Sequence, residues 1–446
     1  MPIILNKFKV EEVNVWFLYA TIVGIGQGIQ YGFNSTFIRF FSYSFAGIKI
    51  KYFFKIKNKI TNSEVNKFDK DEFSDLFSVL KITFLLITTL YFLLLISIGS
   101  YAVKTPISYL ENPNEGWITW FVVVISTSFN IYMSIYQIFL RGFNKIALLN
   151  RIITIVNLFG IIVILIIGLY FASLLSLIIG VQFIAILTSV SLYIMALKAN
   201  NCFLYKVPKR KFRLDIFKEV WDSAWKSGTA TIFATIMKHV SGIIVAQLFS
   251  PVTSASFLLT KRLFELLETL TMVTFQAKIP EIASLRGVGD IKRLIPLLRR
   301  VLTLSYGVYV IGVFVLLFFG DFFISLIKAN SNLGSPLLII SFTFSTLIVR
   351  WAGINLAISN QANYVYEHII GTITFIFYFI FVLLLYKYIG VIVFPISIMI
   401  ATMITAPIII NRTYKTLDTT FIDFEKYIFF PTLLLVIILC AIYIFL

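Results

Sequence analysis

Two cations and two acids fall within eight residues at Lys261, Arg262, Glu265 and Glu268, in a stretch that is otherwise largely apolar. Lys261, Glu265 and Glu268 share one helical face, and either Lys261 or Arg262 can pair with Glu265. Such a cluster has two chemical uses. The four charges can neutralise one another inside a helix, or the cations can hold an anion while Glu265 or Glu268 serves as a protonatable coupling group. Further cations stand alone in apolar stretches. Lys238 shares a helical face with Ser227, Thr231, Ala234, Thr235, Ser241 and Gly242, while Ile232, Phe233, Ile236, Val240 and Ile243 lie opposite. Arg350 shares its face with Thr343, Thr346, Ala357 and Gln361, and Arg141 ends a polar stripe of Asn130, Ser134 and Gln137. A charge at mid-bilayer costs about 2.5–3.5 kcal/mol on insertion scales, so each needs a partner or a wet cavity. Arginine suits phosphate because its planar fork donates two parallel hydrogen bonds. Lys238 and Arg350 are therefore the first candidates for an anion site, and Arg141, Lys261 and Arg262 the next. The competing readings are a buried ion pair for Arg350, a helix-end anchor for Arg141 and a structural role for His239, which points about 100° from Lys238.

Catalytic and metal chemistry find little support. Two cysteines (Cys202, Cys440) and two histidines (His239, His368) exclude a Cys-based metal site or a disulfide scaffold and leave little for other metal chemistry. No P-loop, Gly-rich dinucleotide loop, His-Glu-x-x-His or Gly-x-Ser-x-Gly occurs. Asp69-Lys70-Asp71 matches an Asp-x-Asp metal motif but sits in a Lys/Asp-rich loop, where a chance match is the simpler reading. Asn34-Ser35-Thr36 matches a glycosylation acceptor at a helix end on the expected cytoplasmic side. No catalytic residue, cofactor or metal is expected, and the chain is not expected to be an enzyme.

The elements that position these residues are membrane helices. Of 446 residues, 59% are hydrophobic and only 13% charged, against roughly 25% charged in a soluble domain. A span needs about 20 apolar residues, and such runs predict twelve helices near 13–36, 77–98, 117–140, 147–169, 171–196, 224–249, 254–277, 299–319, 337–359, 367–388, 391–411 and 427–446. The runs are continuous, not alternating, which excludes a barrel. The net charge of +17 has an address. The stretches 39–75, 141–151, 198–226, 278–300 and 412–426 together carry 28 Lys and Arg, whereas the internal loops of opposite parity hold only Lys104, Lys328 and Lys387. That asymmetry makes the basic loops cytoplasmic. It also places the N-terminus outside with no preceding helix to carry Lys7 and Lys9 across, so an upstream helix is expected to be missing. The expected organisation is an N-terminal bundle over 1–198, a basic linker over 199–223 and a C-terminal bundle over 224–446.

Trp16–Gly47 and Ser256–Asp290 share a layout: a long helix, a polar exit, a small-residue turn, a basic segment and another helix. Two-fold repeats of this kind are common in transporters, with the site between the halves. The first segment, a Trp-bearing helix followed by a Gly/Asn-rich stretch, Arg39 and a Ser-Phe-Ala-Gly turn, resembles the second helix of Wzx-type polysaccharide flippases. KIPEIASLRGVGD is similar to the exit of the eighth helix of that family, which belongs to the multidrug/oligosaccharidyl-lipid/polysaccharide exporter superfamily. The resemblance implies an all-α protein of two pseudo-symmetric bundles around a central cavity, in the inner membrane. It implies transport of undecaprenyl-pyrophosphate-linked oligosaccharide for O-antigen or capsule synthesis, beside a polysaccharide polymerase and chain-length proteins. A drug or cation antiporter of the same superfamily would favour an acidic cavity. A membrane polymerase or glycosyltransferase would usually show a large outward loop, and the outward loops here reach only about 17–18 residues.

Overall fold

The computed structural model describes residues 2–45, 69–171, 173–202, 212–288, 290–328, 330–360 and 367–445, and those are helical nearly throughout. Two compact units emerge, one over residues 7–243 and one over 244–446 joined by Pro2 and residues 4–6. The basic stretches 46–68 and 203–211, with Gly47 and Gln361, lie outside the described residues, as does the side chain of Ser227.

After α1 (Pro2–Lys7), the first unit opens on α2 (Val10–Phe45), 36 residues long. It continues with α3 (Lys70–Leu94), α4 (Ser100–Ser108), α5 (Pro113–Met133), α6 (Ile135–Gly142), α7 (Ile146–Tyr170), α8 (Leu174–Cys202) and most of α9 (Leu214–Leu248). Asp69 starts α3 as its N-cap, its carboxylate accepting from the amides of Asp71 and Glu72, so the Asp-x-Asp match has a capping role. One face of α3 buries Phe73, Leu76, Leu80 and Phe84, while Leu85, Leu86, Leu90 and Leu93 stay exposed. Exposed leucine on this scale suits lipid, not water. Lys81 lays its ammonium 4.6 Å from the centre of the Phe77 ring.

Two irregularities interrupt these helices. Leu95–Gly99 forms a π-helical turn between α3 and α4, with Trp120 of α5 packed over Gly99 and donating its indole N–H to Ser100 at 2.9 Å. The expected single helix over 117–140 breaks at Ser134, whose hydroxyl returns to the Ile131 carbonyl at 2.7 Å and competes with the backbone ladder. At the far end of α2, Phe41, Phe73, Phe77, Phe139 and Phe143 build an aromatic core, with ring centres 5.1 Å apart for Phe41–Phe73 and 4.4 Å for Phe139–Phe143. Such pairs contribute about 0.5–1.5 kcal/mol each beyond their burial.

The second unit opens in the same way, on a helix of 38 residues, α10 (Pro251–Val288). It is followed by α11 (Ile291–Leu326), α12 (Pro336–Asn360), α13 (Glu367–Ile389), α14 (Val393–Leu417), the single-turn α15 (Phe421–Glu425) and α16 (Phe429–Phe445). Asp290 caps α11 by accepting from the Arg293 amide at 3.1 Å. Gly390, at φ 56°, stops α13 in the left-handed conformation that costs glycine nothing. α10 packs on α11, α12 and α13 pack on α14, and α16 packs on α11.

All twelve expected spans fall on helices. Among the described residues eight stretches are long and apolar enough to cross a membrane, and one of them, His368–Lys415, contains both α13 and α14. Phe429–Phe445 is apolar but only 17 residues long. α10 is not among the eight because Lys261, Arg262, Glu265 and Glu268 dilute its middle, and α2 is not because Asn14, Gln27, Gln30 and four glycines do the same.

Candidate functional site

Arg350 occupies the middle of α12 and is only 3% exposed. Its Nη2 donates to the Thr271 carbonyl of α10 at 2.9 Å and to Ser305 Oγ of α11, whose own hydroxyl donates to the same carbonyl at 2.6 Å. The guanidinium carbon lies 5.5 Å from the centre of the Tyr306 ring. Nε and Nη1 have no hydrogen-bond partner among the described residues. Glu268, one turn before Thr271, acts on Arg350 electrostatically. Expected on a cavity wall, Arg350 is thus enclosed by α10 and α11. The difference arises because Thr343, on its polar face, is itself covered, its carbonyl accepting from Tyr309 at 2.6 Å.

The charged cluster on α10 is divided by exposure. Arg262 is exposed and pairs with Glu265 at 3.0 Å, one of the two pairings open to that acid, while Lys261 is 8% exposed and Glu268 half-buried. Neighbouring threonines turn back on the same helix: Thr269 donates to the Glu265 carbonyl and Thr271 to the Glu268 carbonyl, both at 2.8 Å.

In the first unit Lys238 is exposed on α9, inside the apolar stretch Thr231–Leu248. The neighbouring face of α9 is committed to α2. A Cβ on Gly24 would stand 2.5 Å from the His239 ring, and one on Gly28 only 2.0 Å from Thr235 Oγ1. Gly24/Gly28 and Thr235/His239 are each four apart, so two antiparallel faces meet where one helix has no side chains. Tyr91 of α3 covers Gly26 and donates to the Ile22 carbonyl at 3.0 Å. The stripe ending at Arg141 is spent within the bundle: Ser189 of α8 donates to Asn130 Oδ1 at 2.7 Å, Ser134 bonds to its own helix, and Arg141 is half-buried at the end of α6.

A cavity of about 350 Å³ lies among Lys9, Glu12, Glu111, Asn112, Glu115 and Leu174. Its carboxylates are engaged: Glu111 pairs with Lys9, Glu12 accepts from the Lys9 amide at 3.0 Å, and Glu115 accepts from the Leu175 amide at 3.2 Å. Burial raises the Glu12 carboxyl above its ordinary range. Among the described residues no group of three or more His, Cys, Asp or Glu is placed to hold a metal ion.

One buried acid went unnoticed in the sequence. Glu425, on α15, is 2% exposed, and its Oε1 accepts both from Trp351 Nε1 at 2.9 Å and from the Tyr414 hydroxyl. Rings surround it, with Trp351 stacked on Phe429 at 4.7 Å and Tyr414 tilted on Phe424 at 5.7 Å. Only the aromatic density of the flanking sequence could have singled it out from Asp423 and Lys426.

By sequence, no protein family and no curated protein matches the chain. Solved structures do match. The chain superposes on the lipid II flippase MurJ in an inward closed conformation with a TM-score of 0.60, over 97% of each chain at 15% identity. An inward-facing multidrug resistance MATE family transporter of the MOP superfamily gives 0.65, over 94% of this chain and 93% of that one at 12% identity. The Vibrio cholerae MATE transporter VcmN in its bent form gives 0.55, over 94% of each at 13% identity. The fold is one that a flippase and transporters share. This is a multi-pass membrane protein, and the solved structures similar to it are a flippase and transporters, not enzymes.

Proposed function

We propose that the protein is a flippase that moves an undecaprenyl-pyrophosphate-linked oligosaccharide across the inner membrane for surface polysaccharide synthesis, O-antigen or capsule. A polysaccharide polymerase and chain-length proteins would act on the units it delivers. The observation that carries the reading is Lys238, an exposed ammonium within a stretch apolar enough to span a membrane. A cation so placed faces water, a protein partner or an anion and not lipid tails, and pyrophosphate is the anion proposed for it. The likeness to a lipid II flippase over 97% of both chains supports a lipid-linked glycan as the cargo class. A bulky polar sugar cannot cross hydrocarbon unaided, and no bond is broken on the way. Arg141, Lys261, Arg262 and Arg350 are the further cations proposed to act on the substrate, with Glu265 or Glu268 as coupling groups.

The test is deletion of the protein followed by analysis of lipid-linked glycans and surface polysaccharide. Lipid-linked units held on the inner leaflet support flipping, and normal surface polysaccharide sinks the proposal. The likeness to MATE transporters favours a second reading, drug or cation export, which predicts that deletion raises accumulation of a cationic dye instead.

A further inference from the structure

We propose that Glu425 is a proton-dependent latch, closing the α15 corner onto α12 and α14 as a neutral acid and releasing it when it ionises. This inference does not rest on the transport reading. Trp351 Nε1 and the Tyr414 hydroxyl both donate to Glu425 Oε1, and the Asn355 side chain and the Phe429 amide also act on the carboxyl. Oε2 is buried and has no hydrogen-bond partner among the described residues. A carboxylate shares its charge over both oxygens, so leaving one of them dry and unpaired is costly. A carboxylic acid matches the arrangement better, with Oε1 as its carbonyl taking two donors and Oε2 carrying the proton.

The groups around it do not supply a neutralising cation at Oε2. Tyr414 of α14 and Tyr306 of α11 face it, and Tyr306 interacts with it electrostatically. Arg350 of α12 directs its donors to Thr271 and Ser305. Arg299 of α11 lies over the Phe424 and Tyr427 rings and donates to the Asp423 carbonyl at 3.0 Å. Asp423 and Lys426 pair with each other at 3.0 Å on the exposed side, and Arg412 lies two residues before Tyr414 on α14. Burial raises the Glu425 carboxyl above its ordinary value, against the lowering effect of the Tyr414, Trp351 and Asn355 side chains and the Phe429 amide.

The sign follows by linkage. The closed corner binds the proton more tightly than an open, hydrated one, so closure is favoured at low pH and lost as pH rises through the closed-state pKa. Between the open-state and closed-state pKa values up to one proton is released per opening, so the opening constant climbs up to about tenfold per pH unit there and levels off above the closed-state value.

Hydrogen exchange of segment 418–429 in the full-length protein, compared with Glu425→Gln at each pH from about 5 to 8, reads this directly. Glutamine keeps the acceptor at Oε1 and cannot ionise. Wild type should match the variant at the acid end and exchange progressively faster above it. Equal exchange at every pH overturns the latch, as does faster exchange in wild type at low pH. If Glu425→Gln does not fold, infrared spectroscopy of the wild type gives the same decision. A protonated carboxyl band should fade as pH rises and change frequency in Trp351→Phe, which removes one of its donors. A band that ignores both changes overturns the proposal.

Discussion

Lys238 and Arg350 are both cations in the middle of apolar helices, yet their surroundings assign them different sensitivities. Lys238 is exposed, so its loss removes a charge from a surface without opening a hole. Lys238→Ala should cut surface polysaccharide sharply at normal protein abundance, and Lys238→Arg should keep it, which immunoblotting alongside polysaccharide gels will check. Arg350 instead ties three helices together through one carbonyl and one hydroxyl. Arg350→Ala should lower abundance through loss of charge-assisted bonds worth roughly 1.5–3 kcal/mol. Arg350→Met fills the space without the charge, and buried charges are often replaced this way at no cost to stability. Normal abundance with lost transport in Arg350→Met would give the guanidinium a role in the cargo path. Normal abundance with full transport would make it a packing residue. None of this was visible along α12 itself. Ser305 and Thr271, which enclose Arg350, lie 45 and 79 residues away, and helical periodicity ranks only residues on the same helix.

Elements were more legible than sites. Apolar runs locate all twelve expected helices because helix burial in lipid is read from composition, although polar residues dilute α2 and α10 and the last helix has only 17 residues. What composition does not encode is a local contest for one carbonyl, and so the break at Ser134 and the widened turn at Leu95–Gly99 went unseen. Two glycines of α2 are a stronger hint, since Gly24 and Gly28 lie four apart on one face. Their use is now explicit. Gly28→Ala should force α2 and α9 apart at Thr235 and destabilise the protein by about 1–3 kcal/mol. Thr235→Gly in the same chain should recover much of that loss, since it removes Oγ1, Cγ2 and the Cβ that would itself stand 2.5 Å from the added methyl. A double-mutant cycle on thermal stability in detergent measures the coupling, and strictly additive effects would rule out the contact.

For the whole molecule, the strongest sequence signal beyond apolarity is where the basic residues fall, and it makes a claim about orientation. A reporter fused after Ala199 should be active in the cytoplasm, and one fused after Leu446 outside it. An engineered cysteine at Lys209, beyond the described residues, should resist an impermeant reagent in intact cells, and labelling from outside would invert the whole assignment. The repeat is the other feature legible at this scale. Trp16–Gly47 and Ser256–Asp290 match at only a few positions, yet each falls mainly on the long helix that opens its unit, 36 residues in one case and 38 in the other. The layout was readable because helix length and loop charge persist where residue identity does not.

The π-helical turn at Leu95–Gly99 has a genetic consequence. Bonding each amide five residues back, it covers its rise with one residue more than an α-helix would use. That surplus residue can be removed by tightening the turn, leaving α3 below and α4 above in nearly their present orientation. Deleting the lipid-exposed Ile98 should therefore be tolerated, whereas deleting one residue from the uninterrupted α7 should swing everything beyond it by about 100° and abolish the fold. A codon-deletion library spanning both helices, scored for protein in the membrane, should show a narrow window of survival at this turn.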